Sequence, residues 1–465
     1  MSKTANVKPF GTKDKLGYMF GDFGNDFTFI LSSMLLMKFY SDVMGIEPYI
    51  VGLMMTVARF VDAVTDVTMG QLVDRSRTTK AGKFKPWLLR MCGFVSVSSF
   101  LMYASWFADM SMTFKLVWMF ATYLLWGSVF YTSVNIPYGS MASAISADPK
   151  DRAQLSNYRT IGASLAGTVI GVVLPLVVYE KNAAGNDVLV GSRVTIAAFL
   201  CSIGAVICYI LCYNMCTERV KVEQKTEKFD LGKLLQGLVK NKALIGIVLA
   251  SVCQLLVQLT QQTMTTYVFP NYFGNTTAQA ASGLVGVVVT LILAVFTVKL
   301  SARFGRKELA IFASVFGSVV NFALFFLQTT NAWVFVGGYA VSYVGLGIFS
   351  LICWAMITDV IDDTEVRTGS RSDGEIYSIY SFARKLGQAA SSLVGGALLT
   401  MIGYSEATQF DPGVTKGIYN MTCLVPAIGF ILLAVVLIFT YPLNKRRVEE
   451  NARVLAQKRA AVERE

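Results

Sequence analysis

No histidine occurs anywhere in this chain of 465 residues. Its absence excludes Ser-His-Asp and Cys-His catalysis and every metal site built on imidazole. Any proton the protein handles must ride on a carboxylate or on water. Charge is scarce as well. Asp, Glu, Lys and Arg make up 15% of the residues, against roughly 25% in soluble proteins. No segment alternates polar and apolar positions as a transmembrane β-barrel requires. No nucleophile–base pair is recognisable, so an enzyme is not expected. The eight cysteines include no Cys-x-x-Cys pair. Cys208, Cys212 and Cys216 recur at four-residue spacing on one helix face, where ordinary packing is the expected role.

Apolar stretches are what the chain has instead: 54% of its residues are hydrophobic. Stretches near 20 residues long recur along it, the pattern of an all-α polytopic membrane protein. Twelve spans are expected, at about 16–44, 47–72, 87–107, 113–143, 154–179, 193–214, 242–268, 278–300, 309–328, 332–358, 375–402 and 418–443. Pro137 is a candidate kink. The first 15 residues are polar and the apolar stretch behind them is long, so no cleavable signal peptide is expected. An even span count puts both termini on one side. The terminal segments and connections on that side hold 32 Lys and Arg, the opposite connections four. By the positive-inside rule both termini are cytoplasmic. The net charge of +11 is thereby explained by topology and calls for no nucleic-acid partner.

The longest polar connection, 215–241, divides the chain into two halves of six spans. The expected organisation is an N-terminal bundle over 1–214, the linker, a C-terminal bundle over 242–443 and a cytoplasmic tail over 444–465. Gly70 to Arg75 and Leu300 to Lys307 place basic residues in tight turns at equivalent points of the halves. Such an echo fits a repeat that rocks around a midplane site.

Charged residues inside the spans mark where chemistry is expected, because each is costly at the bilayer centre. Arg59, Asp62 and Asp66 are spaced i, i+3, i+7 and share one face of span 2. Asp26 lies about ten residues into span 1, about 15 Å deep at 1.5 Å per residue. A short loop joins these spans, so three carboxylates and one guanidinium can converge near mid-membrane. Hard oxygens of this kind suit Na⁺, and crowded carboxylates suit a proton. Asp74 and Arg75 sit at the membrane edge and read as a conformational clamp. Tyr131, Thr132, Asn135 and Tyr138 on span 4, Arg159 on span 5, and Ser381, Arg384 and Lys385 on span 11 supply polar and aromatic groups suited to a sugar-binding cavity. Trp354 is a candidate stacking platform, with an interfacial belt position as its alternative. The i,i+4 pair Ser381 and Lys385 makes Lys385 the inward-facing cation.

Several of these segments are motifs in the right order: Gly21-Asp22-Phe23-Gly24-Asn25-Asp26-Phe27, Arg59-Phe60-Val61-Asp62-Ala63-Val64-Thr65-Asp66, Gly82-Lys83-Phe84-Lys85-Pro86-Trp87, Asn135-Ile136-Pro137-Tyr138-Gly139-Ser140, Asn157-Tyr158-Arg159, Asp359-Val360-Ile361 and Arg384-Lys385-Leu386-Gly387-Gln388. Over essentially the whole chain the sequence resembles the glycoside–pentoside–hexuronide:cation symporters, the melibiose-permease family of the major facilitator superfamily. That resemblance implies two six-helix halves in the bacterial inner membrane and cation-coupled sugar uptake. It implies Asp62 and Asp66 as cation ligands with Thr132 beside them. Asp26 and Arg159 would bind sugar hydroxyls. Trp354 and Ser381 would line the sugar pocket near Tyr131, and Lys385 would link the two sites. The melibiose-permease pattern has an acid where this chain has Asn135 and a Trp where it has Gly139. The first difference favours H⁺ over Na⁺; the second removes a stacking ring for a galactoside. The wording is closer to glucuronide and xyloside carriers. No cofactor beyond the coupling ion is implied, nor any metal beyond Na⁺ at Asp62 and Asp66. The expected partners are a small sugar and membrane lipid, with the chain acting as a monomer. The alternatives are an uncoupled sugar facilitator or a lipid carrier on the same fold.

Overall fold

A computed structural model describes residues 9–220, 241–369 and 373–462. Most of the expected 215–241 linker lies outside the described residues. Contacts divide the chain into two compact units. The first holds the N-terminal half together with Gly403–Gln409, and the second holds the rest of the C-terminal half.

In the first unit α1 (Thr12–Asp42), α2 (Pro48–Arg75), α3 (Lys85–Leu101), α4 (Met112–Leu124), α5 (Thr132–Ile145), α6 (Pro149–Val178) and α7 (Gly191–Met215) follow in order. Proline at the first positions starts α2, α3 and α6, where its missing N–H is no loss. A π-helical turn, Leu125–Tyr131, joins α4 to α5 without a break, giving one rod from Met112 to Ile145. This turn and Pro137 both fall within the expected fourth span. The third span ends earlier than expected. α3 stops at Leu101, and Ser105–Phe107 forms a separate 3₁₀ turn. Between α6 and α7 the chain makes a small antiparallel hairpin, Tyr179–Lys181 with Asp187–Leu189, that the sequence reading did not anticipate.

Small residues let α1 approach α7 closely. A Cβ at Gly17 would stand 2.9 Å from the Cys216 sulfur, and one at Gly21 would stand 2.9 Å from the Cys212 sulfur. At Gly24 it would meet Cys208 Cβ at 3.1 Å. The three regularly spaced cysteines are thus the counterpart of a glycine stripe, the small-residue packing typical of membrane helices. Intramembrane Lys38 is buried against α1's own Asp42 at 2.8 Å and donates to Tyr404 at 3.0 Å. Tyr404 in turn donates to Asp42 at 2.6 Å, closing a buried triad.

The second unit contains α8 (Lys242–Tyr267), continued by a π-helical segment Val268–Phe273, then α9 (Thr276–Phe304), α10 (Arg306–Leu327), α11 (Ala332–Thr368), α12 (Asp373–Met401), α13 (Pro412–Phe439) and α14 (Lys445–Val462). Its core includes Ile247, Phe349, Tyr380, Phe430 and Tyr441. Residues 359–368, expected in a loop, continue α11 for nearly three more turns. Their carboxylates are matched: Arg306 donates to Asp359, and Arg447 and Asn451 donate to buried Asp363, both at 3.1 Å. Those bonds also explain why the tail forms a docked helix, α14. Counting α4–π–α5 as one rod and setting α14 aside, the described helices correspond one for one to the twelve expected spans. Eight of them are long and apolar enough to cross a membrane on those grounds alone. α1, α2 and α12 carry the charged stripes, and α3 has only 17 residues.

Candidate functional site

Within the first unit the charged stripe of α2 meets the hydroxyls of the rod formed by α4, the π turn and α5. Ser128 Oγ donates to Asp62 Oδ1 at 2.5 Å, and Thr132 Oγ1 donates to Asp66 Oδ1 at 2.9 Å. The result is a ladder of two rungs, each pairing a carboxylate with a hydroxyl four residues from the next. Arg59 occupies the other oxygen of Asp62 at 3.1 Å and lies over the Phe29 ring at 5.4 Å. Phe29 stacks on Tyr131 at 5.9 Å. Asp62, Ser128 and Thr132 are buried. The π turn lies at the ladder and carries Ser128. Such turns recur at functional positions because they break the regular side-chain register.

A second cluster joins α1, α5 and α6. Arg159 Nε donates to buried Asp22 Oδ1 at 2.9 Å. Its guanidinium lies over the Tyr138 ring at 5.4 Å. Tyr138 stacks on Tyr18 at 4.5 Å and donates from its hydroxyl to the Tyr18 carbonyl at 2.6 Å. The Arg159 side chain stays 42% exposed, so a guanidinium fixed at Nε and on one face still presents an open edge. Asp26, one turn further along α1, is half-buried, as are Tyr131 and Asn135. A Cβ at Gly139 would meet nothing within 4 Å, so the space left by the missing ring is open.

Asp22 and Ser128 are site residues that the sequence reading missed. Asp22 precedes Asp26 by one helical turn, and Ser128 precedes Thr132 by the same interval that separates Asp62 from Asp66. Each stands at i,i+4 from a named residue, but that spacing alone does not show which partner it meets. Asp74 pairs with Lys83 in the following loop at 3.8 Å, while Arg75 is exposed. The remaining expected residues belong to the second unit. There Trp354 packs edge-on against Tyr380 at 5.2 Å and is 46% exposed. Arg384 lies over the same tyrosine ring at 5.9 Å and donates to its hydroxyl at 3.4 Å. Ser381 and Lys385 are half-buried on α12.

Apolar rods with carboxylates, hydroxyls and guanidinium groups held between them define a polytopic membrane transporter of the major facilitator type, not an enzyme. The chain belongs to the family described as MFS/sugar transport protein, which it matches over residues 17–445. It is 31% identical to the uncharacterized symporter YjmB of Bacillus subtilis (strain 168), over 97% of this chain and 96% of that protein. It is 30% identical to the glucuronide carrier protein homolog of Escherichia coli (strain K12), over 94% of this chain and 93% of that one. Among solved structures, a bacterial homolog of the human lysosomal transporter Spinster superposes with a TM-score of 0.69 at 9% identity. That match covers 94% of this chain and 97% of the other, and it speaks to the fold.

Proposed function

We propose that the protein takes up a glycoside, pentoside or hexuronide together with a cation, by alternating access. The observation that carries this reading is the ladder of Asp62 with Ser128 and Asp66 with Thr132. Two carboxylates and two hydroxyls supply only hard oxygens, which suit Na⁺ or a proton. Arg59 offsets part of the negative charge. Asp26, Arg159 and Asn135 would hold sugar hydroxyls on the same unit, with Asp22 and Tyr138 fixing Arg159. Trp354, Ser381 and Lys385 are the sugar-binding candidates of the second unit. The similarity to a glucuronide carrier homolog supports a hexuronide, and the missing acid at Asn135 favours H⁺. The same reading places the protein in a bacterial inner membrane as a monomer with both termini in the cytoplasm. Asp74 and Lys83 would hold the α2–α3 loop during the switch.

The deciding experiment is uptake of labelled β-glucuronide and β-xyloside into right-side-out vesicles under an imposed proton or sodium gradient. Accumulation above equilibrium is expected with one cation. In Asp62→Cys, accumulation is expected to vanish while exchange persists. Undiminished accumulation in that variant would remove the ladder from the mechanism. Equilibration without accumulation in the parent chain would instead identify an uncoupled facilitator, and no uptake of either sugar would reopen the lipid-carrier alternative.

A further inference from the structure

Phe27, the neighbour of Asp26, lines a cavity in the first unit, of 570 Å³, to which none of the ladder or Arg159 residues contributes. Its walls are Val169 to Val177 on α6 and Arg193 to Cys201 on α7. The lining is apolar except for Arg193 at one end and the Cys201 thiol at the other. Val173, Leu176, Ile196 and Leu200 are between 52% and 61% exposed, so the groove opens on the outer surface of the helices. In a membrane-spanning chain that surface faces lipid. Each wall covers eight residue steps, about 12 Å at the helical rise. One leaflet of the hydrocarbon core is about 15 Å thick.

The mouth carries both signs of charge. Arg193 NH2 pairs with Glu180 Oε2 at 2.7 Å, with the side chains 44% and 58% exposed. Arg193 NH1 donates to the Tyr179 carbonyl at 3.0 Å. The hairpin Tyr179–Lys181 with Asp187–Leu189 holds Glu180 in place. A cation and an anion side by side, above an apolar groove one leaflet deep, match a zwitterionic headgroup above its acyl chain. We infer that this groove seats one acyl chain of a phospholipid with a primary-ammonium headgroup, phosphatidylethanolamine in type, its phosphate on Arg193 and its ammonium on Glu180. A net-anionic headgroup would meet the Glu180 carboxylate, and a quaternary ammonium has no N–H to donate to it. At the groove Phe27 packs at a tilt against Phe23 at 4.6 Å, and a Cβ at Gly204 would meet its ring at 3.2 Å. A seated chain would thus brace α1 beside Asp26. The inference rests on the membrane-spanning fold and not on the sugar or cation assignment.

The test is native mass spectrometry of the delipidated full-length chain with phosphatidylethanolamine, phosphatidylcholine and phosphatidylglycerol of identical acyl composition. One phosphatidylethanolamine is expected to be retained about fivefold more strongly than either of the others, the scale of one headgroup charge contact. Glu180→Gln, on the exposed hairpin, should erase that preference. Ala197→Trp, which fills the groove, should lose retention of all three lipids. A preference for phosphatidylglycerol, an unchanged preference in Glu180→Gln, or full retention in a folded Ala197→Trp would each overturn the assignment. Thermal unfolding checks folding of both variants, and Glu180→Gln decides the matter alone if Ala197→Trp does not fold.

Discussion

Ser128 holds a hydroxyl 2.5 Å from buried Asp62 and lies in a π-helical turn. A hydrogen bond to a charged group is worth about 1.5–3 kcal/mol. If Na⁺ is the cation and the hydroxyl and carboxylate oxygens both coordinate it, Ser128→Ala should raise the half-saturating Na⁺ concentration about ten- to hundredfold by the same scale. Cation-dependent uptake kinetics measure this, and an unchanged cation dependence would separate Ser128 from the site. If Arg159 binds sugar, Asp22 acts through it, because Asp22 fixes Arg159 Nε while Tyr138 supports the guanidinium face. Asp22→Asn should weaken sugar binding about tenfold, about 1.4 kcal/mol, and leave cation binding in the absence of sugar unaltered. Calorimetry with each ligand alone distinguishes this from general destabilisation, which would weaken both. At this scale the stripe of Arg59, Asp62 and Asp66 was legible, because charges are costly in an apolar span and three acids with one base exceed what a packing ion pair alone would need. Ser128 was not, since hydroxyls are common in membrane helices and only the partner carboxylate singles one out. Asp22 stood in a quoted motif, yet its role depends on where α6 puts Arg159, which no spacing within α1 reveals.

Helix existence was the most legible feature at the element scale, and helix ends were the least. Residues 359–368 fell beyond the expected span, which ended at 358, but the burial of Asp359 and Asp363 against Arg306, Arg447 and Asn451 keeps them helical. Those partners lie far along the chain, so local composition pointed the wrong way. The cysteine spacing was read correctly as packing, although its partner, the stripe Gly17, Gly21 and Gly24, appeared only once α1 and α7 were seen together. This stripe gives a graded prediction. Alanine for glycine gains about 1 kcal/mol of helix propensity, while overpacking costs about 1–3 kcal/mol. At Gly24 the nearest atom to a new Cβ is 3.1 Å away, so the two effects should nearly cancel. At Gly21 a new Cβ would stand 2.3 Å from the ring of Tyr138, which is buried and stacked on Tyr18. Gly21→Ala should therefore lower the thermal midpoint measurably, and Gly24→Ala should leave it near the parent value. The reverse order would mean that the packing of Gly21 against Tyr138 of α5 is not what limits stability.

Charge distribution governs the whole molecule. With 32 Lys and Arg in the terminal segments and connections on one side and four on the other, the positive-inside rule predicts both termini in the cytoplasm. A reporter that is active only in the cytoplasm should work when fused after Asn444 and fail when inserted between Asn182 and Asn186. The opposite result would invert the topology. Coupling is also a property of the whole. If one cation and one sugar bind the same molecule and each favours the other, the factor by which the cation tightens sugar binding must equal the factor by which sugar tightens cation binding. That equality follows from closing a thermodynamic cycle and is independent of any structural detail. Coupling of about 1–3 kcal/mol, roughly 5–150-fold, is the usual range. Four Kd values on the purified protein test it: sugar with and without the cation, and cation with and without the sugar. Equal ratios well above one are expected for the parent chain, and both should fall to one in Asp62→Asn while sugar alone still binds. Ratios of one in the parent chain would leave a facilitator whose carboxylate ladder only fixes α2 against the α4–α5 rod.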